Sequence, residues 1–160
     1  MISAIVAVSP DWGIGCGDEL LYKDMRDLYF FAGYCQEKEL LVGYRTAQTL
    51  PKMTNRAVTV LDRDILDLIQ LASMDGTVVE ILTRSWLSNK VLIGGAKTYS
   101  LLAKNVDQIY VTHFFNPPEK QADVFFPIED YPWIVPENGV KIVSNKEFEI
   151  VLYRRSRDGI

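Results

Sequence analysis

Two glycine turns and one acidic residue are the features of this sequence that could bind a ligand or take part in a reaction. The stretch from Val91 to Tyr99 is a short apolar run that breaks at Gly94-Gly95 and continues with helix-forming residues. It predicts a buried strand, a tight turn and a helix. Free backbone NH groups at the start of that helix could bind a phosphate at the carboxyl edge of the sheet. The alternative is that Gly94-Gly95 only makes a sharp connection and binds no ligand. The absence of the dinucleotide-binding fingerprint G-x-G-x-x-G favours this alternative.

The second glycine turn repeats the pattern. Residues 39–43 are apolar enough for a buried strand that ends at Gly43, and residues 44–50 can start a helix. Arg45 and Thr46 lie at this turn, where a cation and a hydroxyl can join backbone NH groups in binding phosphate. Arg63, which follows a predicted strand at 57–61, would emerge at the same edge. Taken alone, Arg45 has the simpler interpretation of a solvated surface charge.

The acidic residue is Asp27. The spacing predicts a helix over residues 24–35 with Asp24 as its N-cap. Asp27 lies beside Leu28 and one turn before Phe31, so a carboxylate can share a face with aromatic surface. The simpler local interpretation is that Asp27 complements the helix dipole in the first turn. The core-facing stripe of this helix is predicted to consist of Met25, Leu28, Tyr29, Ala32 and Cys35.

The elements that would position these residues form an α/β domain. Residues 2–8 predict a central buried strand, and a loop with three glycines follows it. Loops at the carboxyl ends of central strands are where α/β proteins bind ligands. Because this loop and the residues after it also contain Trp12, Ile14, Leu20, Leu21 and Tyr22, we expect a lid that closes on something apolar.

The rest of the chain predicts further strands and one helix. Strands are expected at 107–115 and 148–155, the latter in an antiparallel carboxyl-terminal hairpin. A capping box at Thr77 starts a predicted helix that continues through Trp86. Residues 65–72 fit a helix or a strand by period alone. His113, on the strand at 107–115, is expected to be a hydrogen-bonded structural residue.

Composition excludes several classes of protein. The chain has 160 residues, of which 48% are hydrophobic, and a formal net charge of -4, which argues against general nucleic-acid binding. The amino terminus lacks the features of a signal peptide, and no apolar run approaches the ~20 residues of a membrane helix. Two cysteines and one histidine are too few for a metal cluster or a disulfide framework. We therefore expect a single cytoplasmic domain without a metal.

Five separated motifs together resemble the dihydrofolate reductase family. They are the first strand with Ile14-Gly15, the helix with Asp27, Leu28 and Phe31, the turn Gly43-Tyr44-Arg45-Thr46, the run Ile93-Gly94-Gly95 through Tyr99, and the strand Tyr110-Val111-Thr112-His113. The resemblance implies one domain over 1–160, with a mostly parallel eight-stranded mixed sheet, about four flanking helices and a carboxyl-terminal hairpin. It also makes residues 65–72 a strand and Gly94-Gly95 a cis peptide.

The resemblance implies NADPH-dependent reduction of dihydrofolate by a monomer. Asp27 would assist proton delivery to the pterin, supported by Tyr22 and Thr112. The implied substrate contacts are Ile5, Leu28, Phe31, Ala32, Leu50, Lys52, Arg56 and Thr112. The implied cofactor contacts are Ala7, Gly13, Ile14, Gly15, Gly17, Leu20, Gly43, Tyr44, Arg45, Thr46, Leu61, Asp62, Arg63, Ile93, Gly94, Gly95, Ala96, Lys97, Thr98 and Tyr99.

The sequence departs from the family pattern at a few positions. Tyr44 stands where the family usually has an arginine beside the cofactor's 2'-phosphate, and Leu21-Tyr22 replaces the usual Pro-Trp. Tyr22 could hold the water near the acid through its hydroxyl. These departures leave open a folate- or nucleotide-binding module that has lost catalysis. A pyrimidine reductase of riboflavin synthesis has a similar scaffold but lacks the acid-bearing helix seen at Asp27 to Phe31.

Overall fold

A computed structural model describes residues 1–17, 19–48, 57–61 and 89–156. The predicted strand at 65–72, the predicted helix at 77–86, and Leu50, Lys52, Arg56, Asp62 and Arg63 lie outside these residues. The strands are β1 (Ser3–Val8), β2 (Gly13–Gly15), β3 (Glu39–Gly43), β4 (Val58–Leu61), β5 (Lys90–Leu92), β6 (Gln108–Phe114), β7 (Val124–Phe125), β8 (Gly139–Ser144) and β9 (Phe148–Arg154). The helices are α1 (Met25–Cys35), α2 (Tyr44–Ala47) and α3 (Ala96–Leu101), with 3-10 turns at Ala103–Asn105, Ile128–Asp130 and Pro136–Asn138.

The main sheet of the described residues has seven strands in the order β4-β3-β5-β1-β6-β9-β8. The pairings from β4 to β6 are parallel, whereas β9 runs antiparallel to both β6 and β8. This confirms the central position of β1, the mostly parallel mixed sheet and the carboxyl-terminal hairpin. The predicted eighth strand is the one at 65–72, so it stays a prediction. No helix among the described residues is long and apolar enough to cross a membrane.

Strand β1 is buried on both faces, as its unbroken apolar run predicts. Ala4, Val6 and Val8 belong to the larger core cluster, whereas Ile5 belongs to a second cluster with Leu40. This alternation follows from the two-residue period of a strand. β1 therefore separates two apolar layers, and α1 contributes Cys35, Phe30, Phe31 and Tyr34 to the second of them.

Helix α1 begins where the sequence predicts but presents a different face to the sheet. Asp24 is its N-cap, and its side chain accepts a hydrogen bond from the NH of Arg26. The predicted core stripe is wrong at three positions, because the exposed fractions are 56% for Met25, 37% for Leu28 and 70% for Tyr29. The helix instead packs through the aromatic rings of Phe30 and Tyr34, whose centroids lie 5.7 Å and 4.5 Å from that of Tyr110. The larger aromatic rings occupy the interface and leave Leu28 uncovered.

Candidate active site

Asp27 and Thr112 meet although 85 positions separate them. The Thr112 hydroxyl donates a hydrogen bond to Asp27 Oδ1 at 2.6 Å. Thr112 is buried on β6 between Ala7 of β1 and Ile150 of β9, and Asp27 is half-buried in the first turn of α1. Burial raises the pKa of Asp27, the Thr112 hydrogen bond opposes this, and the charge of Asp24 adds to it. The site thus holds a carboxyl group whose proton affinity is increased, as suits a group that assists proton transfer.

Apolar side chains lie on the elements that hold this carboxyl group and on the strands beside them. Ile5 is buried, and the half-buried Phe31 and Ile93 pack in the same cluster. Ala7, also half-buried, packs in the neighbouring cluster with Phe114. Leu28 follows Asp27 directly and is 37% exposed. An exposed apolar side chain beside a half-buried carboxyl group suits a flat ring with a polar edge.

The side chain of Tyr22 is held by an aromatic ring and a backbone oxygen. Its ring stacks on Phe114, with centroids 3.9 Å apart and planes inclined by 4°, and its hydroxyl donates to the backbone oxygen of Asn116 at 2.6 Å. Burial raises the pKa of Tyr22, and the charge of Asp11 adds to the rise. Because the hydroxyl proton is engaged at Asn116, a water near Asp27 could only donate to the Tyr22 oxygen. The role of Tyr22 in holding such a water stays a prediction.

The two glycine turns lie against each other at the carboxyl edge of the sheet. The NH of Gly43 donates to the oxygen of Gly94 at 2.8 Å, and the Gly94-Gly95 peptide is cis, as the resemblance implies. A Cβ on Gly43 would lie 2.5 Å from Thr98 Oγ1, and one on Gly95 would lie 2.6 Å from Thr46 Oγ1. Each turn therefore requires a glycine where a threonine of the other turn approaches.

Both turns offer groups that fit a phosphorylated cofactor. Neither α2 nor α3 has a side-chain hydrogen bond at its N-cap, so their first NH groups are not used by a capping side chain. Tyr44, Arg45 and Lys97 are exposed beside these helix starts. A cation, an exposed aromatic ring and backbone NH donors are suitable partners for a nucleotide with phosphate groups.

Several members of the predicted cofactor set are buried, including Leu61 and two side chains of α3. Thr98 and Tyr99 are only 3% and 2% exposed. The Tyr99 hydroxyl donates to the oxygen of Ile5 at 2.6 Å, and the Tyr131 hydroxyl donates to the oxygen of Tyr99 at 2.7 Å. Burial raises the pKa of both phenols. Tyr99 thus ties α3 to β1, while Tyr131, absent from the sequence-based set, ties α3 to the segment after β7.

The glycine loop after β1 is held over the same edge. Its strand β2 pairs antiparallel with β7, and the carboxylate of Asp123 accepts from the NH of Gly17 at 2.9 Å and 3.1 Å. Glu19 forms an ion pair with Lys120. Leu20 is 62% exposed, whereas Ile14 is half-buried against the larger core cluster. The loop thus has tethered and exposed parts, as a lid requires.

His113 and Trp12 pack at the base of this loop. His113 Nε2 lies 2.8 Å from the Tyr153 hydroxyl, which confirms its expected hydrogen-bonded structural role. The Trp12 ring meets His113 edge-on, with centroids 5.4 Å apart. Burial lowers the pKa of His113, and the charge of Glu149 opposes this. Within the described ranges, no group of three or more His, Cys, Asp or Glu side chains could hold a metal ion.

Comparison with known proteins assigns the family. The dihydrofolate reductase family model matches residues 1–155. A dihydrofolate reductase of Buchnera aphidicola is 24% identical over 140 residues, covering 82% of this chain and 81% of that protein. Dihydrofolate reductase type 9 of Escherichia coli is 27% identical over 121 residues, covering 69% and 68%. The chain belongs to the dihydrofolate reductase family.

A solved structure has the same fold. The dihydrofolate reductase of Enterococcus faecalis, complexed with NADP(H) and RAB-propyl, aligns with a TM-score of 0.70 at 20% identity. The alignment covers 98% of this chain and 96% of that one. At this level of identity the likeness concerns the fold, so the residues of the site rest on the geometry described above.

Proposed function

We propose that this protein reduces 7,8-dihydrofolate to 5,6,7,8-tetrahydrofolate with NADPH. The observation that carries the proposal is the half-buried carboxyl group of Asp27, bonded to the buried Thr112 hydroxyl and bordered by the exposed Leu28. This arrangement occurs in a chain of the dihydrofolate reductase family. We take Asp27 as the ionisable group that the amino group and ring nitrogen of the pterin approach.

Asp27 orients the pterin and promotes its protonation. Its carboxylate accepts two hydrogen bonds from one edge of the ring, which fixes the ring against the apolar wall of Ile5 and Phe31. The negative charge favours a proton at the reacting imine, to which water is the immediate donor. Thr112 holds the carboxylate in place by donating to Oδ1. Bound NADPH supplies the hydride.

The remaining substrate contacts are assigned to side chains that continue the apolar wall of Ile5 and Phe31 or that bind the rest of the folate molecule. Leu28 and Ala32 extend the wall along α1, and we assign both to the substrate. Leu50, Lys52 and Arg56, which lie outside the described residues, stay predictions for the rest of the folate molecule. Arg56 is the residue assigned to the α-carboxylate of the folate glutamate, because guanidinium binds carboxylate through two parallel hydrogen bonds.

The cofactor is assigned to the two glycine turns and the loop above them. Backbone NH groups at the starts of α2 and α3 would receive phosphate oxygens, and Arg45 with Arg63 would neutralise the 2'-phosphate. Ala7, Ile14 and Gly15 would contact the nicotinamide. Tyr44, which replaces the usual arginine, supplies an aromatic surface in its place. We further propose that the protein acts as a cytoplasmic monomer without a nucleic-acid partner.

The test is the loss of NADPH absorbance when dihydrofolate is added to the purified protein. We expect turnover that prefers NADPH over NADH. Asp27→Asn should bind NADPH normally and nearly lose dihydrofolate reduction at neutral pH. Glu137→Gln, which changes an exposed carboxylate on a 3-10 turn, is the matched control and should retain full activity.

Other outcomes would identify the alternatives. Binding of folate and NADPH by calorimetry without hydride transfer would identify a binding module. Turnover of an aminopyrimidine substrate in place of dihydrofolate would identify the riboflavin-pathway reaction. Full activity in Asp27→Asn would remove Asp27 from the mechanism.

A further inference from the structure

The first turn of α1 carries an ion pair next to Asp27 that the mechanism above does not use. Asp24 Oδ1 accepts from the NH of Arg26 at 2.9 Å and from its Nε at 3.1 Å, while Oδ2 accepts from Nη2 at 2.7 Å. The Asp24 side chain is 21% exposed and that of Arg26 is 52% exposed. Two parallel hydrogen bonds to a carboxylate hold a guanidinium in a defined orientation.

Arg26 also joins α1 to the terminal hairpin. Its Nη2 lies 3.2 Å from Glu147 Oε2, and its guanidinium lies 5.2 Å from the centroid of the Phe148 ring. Phe148 is fully buried and packs on Phe114, whose centroid is 5.2 Å away. Phe114 belongs to β6, the strand that also carries Thr112. The ion pair is therefore attached to both elements that hold the Asp27 carboxyl group.

Asp24 and Asp27 are separated by three positions at one helix start. Residues at this spacing lie on the same face, so two carboxylates there repel each other. The charge of Asp24 contributes to the raised pKa of Asp27, after burial and the Thr112 hydrogen bond. The Arg26 hydrogen bond lowers the pKa of Asp24 itself and keeps it ionised. Arg26, whose Nη2 lies 2.7 Å from Asp24 Oδ2, thus places a positive charge directly against the carboxylate that acts on Asp27.

The other elements around Asp27 present uncharged groups. Thr112 on β6 is a hydroxyl, and its sheet neighbours are Ala7 and Ile150. Tyr22 is a phenol bonded to a backbone oxygen. Lys23 is exposed and precedes the helix, and on the hairpin side Glu147 is paired with Arg26. In the described part of the chain, Asp24 is thus the charged group whose effect on the Asp27 pKa is resolved.

We propose that Asp24 and Arg26 form a balanced ion pair that sets the pH range over which Asp27 supports reduction, with Asp24 extending that range upward and Arg26 limiting it. The inference rests on the proposed function. Both are positioning residues, because neither contacts substrate or cofactor in the mechanism above. Reduction consumes a proton, so its rate falls as pH rises through the apparent pKa of the site.

Opposite shifts in two single variants test the proposal. Arg26→Gln leaves the charges of both Asp24 and Glu147 unbalanced, so the pH above which kcat/KM falls should increase. Asp24→Asn keeps a good N-cap, removes the negative charge and leaves Arg26, so this pH should decrease. In the pH range where kcat/KM falls, we expect it to be about two- to threefold higher than wild type in Arg26→Gln and about two- to threefold lower in Asp24→Asn. Changes of this size are typical for partly exposed charges. Both shifts should shrink in high salt.

A purely structural role predicts a different result. If the ion pair only fastens α1, both variants should slow the reaction at all pH values, and the pH above which kcat/KM falls should be unchanged or shift in the same direction in both. That result would overturn the proposal. Arg26→Lys keeps the charge and should keep the wild-type profile. The double variant should lie between the two single variants.

A measurement on the free protein separates this proposal from the proposed function. The titration of the Asp27 carboxyl carbon, followed by NMR in protein labelled at aspartate, requires neither substrate nor turnover. We expect a higher pKa in Arg26→Gln and a lower pKa in Asp24→Asn. Opposite shifts without dihydrofolate turnover would support the coupling and refute the proposed reaction. Turnover with an unshifted Asp27 titration would refute the coupling alone.

Discussion

Asp27 lies half-buried in the first turn of α1, where burial raises the pKa of its carboxyl group above the ordinary value of 3.8. A carboxyl group with a raised pKa in the folded protein destabilises the fold when it ionises. The loss begins as pH rises above about 3.8 and is complete above the folded-state pKa. The charge that Asp27 carries once it is ionised is therefore unfavourable to the fold.

Asp27→Asn should accordingly stabilise the free protein at neutral pH. Removing one such group is expected to add about 1 kcal/mol, or about 3 °C in Tm. The difference from wild type should disappear as pH falls below 3.8, where both side chains are neutral. Thermal unfolding by circular dichroism over a pH series measures this. A variant less stable than wild type at neutral pH would show that the ionised carboxylate is well stabilised in the fold.

Thr112→Val removes the hydroxyl that donates to Asp27 Oδ1 while keeping the side-chain volume. That hydrogen bond lowers the pKa of Asp27, so its loss should raise this pKa further and leave the carboxylate less well oriented. We expect kcat/KM to fall about tenfold, the effect of about 1.5 kcal/mol lost at a charged partner. Thr112→Ser keeps the hydroxyl and should retain most activity. Equal losses in both variants would assign the effect to packing.

The Asp27–Thr112 contact illustrates what sequence could predict at this scale. The two residues are 85 positions apart, and locally Asp27 is explained by the helix dipole. The family resemblance supplied the pairing, because five motifs had to be considered together. It did not supply the Tyr22–Asn116 hydrogen bond, since Tyr22 departs from the family pattern, or the Asp24–Arg26 pair, since these two residues were not considered as partners in the motifs.

Among the elements, the two glycine turns depend on each other. Gly43→Ala would place a Cβ 2.5 Å from Thr98 Oγ1, so α3 would have to move away from β3. We expect a loss of about 2 kcal/mol, or about 6 °C in Tm, together with weaker NADPH binding. Thermal unfolding and calorimetric titration with NADPH measure the two effects.

Gly33→Ala is the matched control for this substitution. Gly33 lies in α1, and a Cβ there would meet no atom within 4 Å. Alanine is favoured over glycine in a helix, so we expect a gain of about 0.5 to 1 kcal/mol without a change in NADPH affinity. Gly43→Ala combined with Thr98→Ala removes the obstructing oxygen and should recover part of the lost stability. No recovery would place the strain elsewhere in the turn.

The elements themselves were largely predictable. The strand at 39–43 has the predicted bounds, because its apolar run ends at a glycine. The face of α1 was not predictable by spacing, because Leu28, Tyr29, Phe30 and Phe31 provide apolar surface on adjoining sides of the helix. The sheet selected the aromatic rings that reach Tyr110. The buried face of α1 is therefore determined by packing against a strand distant in sequence. Helical periodicity alone does not predict which face that is.

For the molecule as a whole, cofactor binding should raise stability. A ligand that binds only the folded state, present at about 100 times its Kd, adds about 2.7 kcal/mol. For a chain of this size we expect NADPH to raise Tm by about 5 to 10 °C, and NADH at equal concentration to raise it less. A thermal-shift titration with both nucleotides measures this. An equal shift with NADH would mean that Tyr44 has removed selectivity for the 2'-phosphate.

The central position of β1 has a consequence for how the protein is made. Ser3 pairs with Gln108, 105 residues further along the chain, and its other neighbour, Val91, is also distant. At about 5 to 20 residues per second, a ribosome needs about 5 to 20 s to synthesise the residues between β1 and β6. β5 is synthesised only towards the end of this time, so for most of it the apolar strand β1 has neither partner. The Asp27 carboxyl group can meet Thr112 only after β6 has emerged, so co-translational folding of this site is necessarily late.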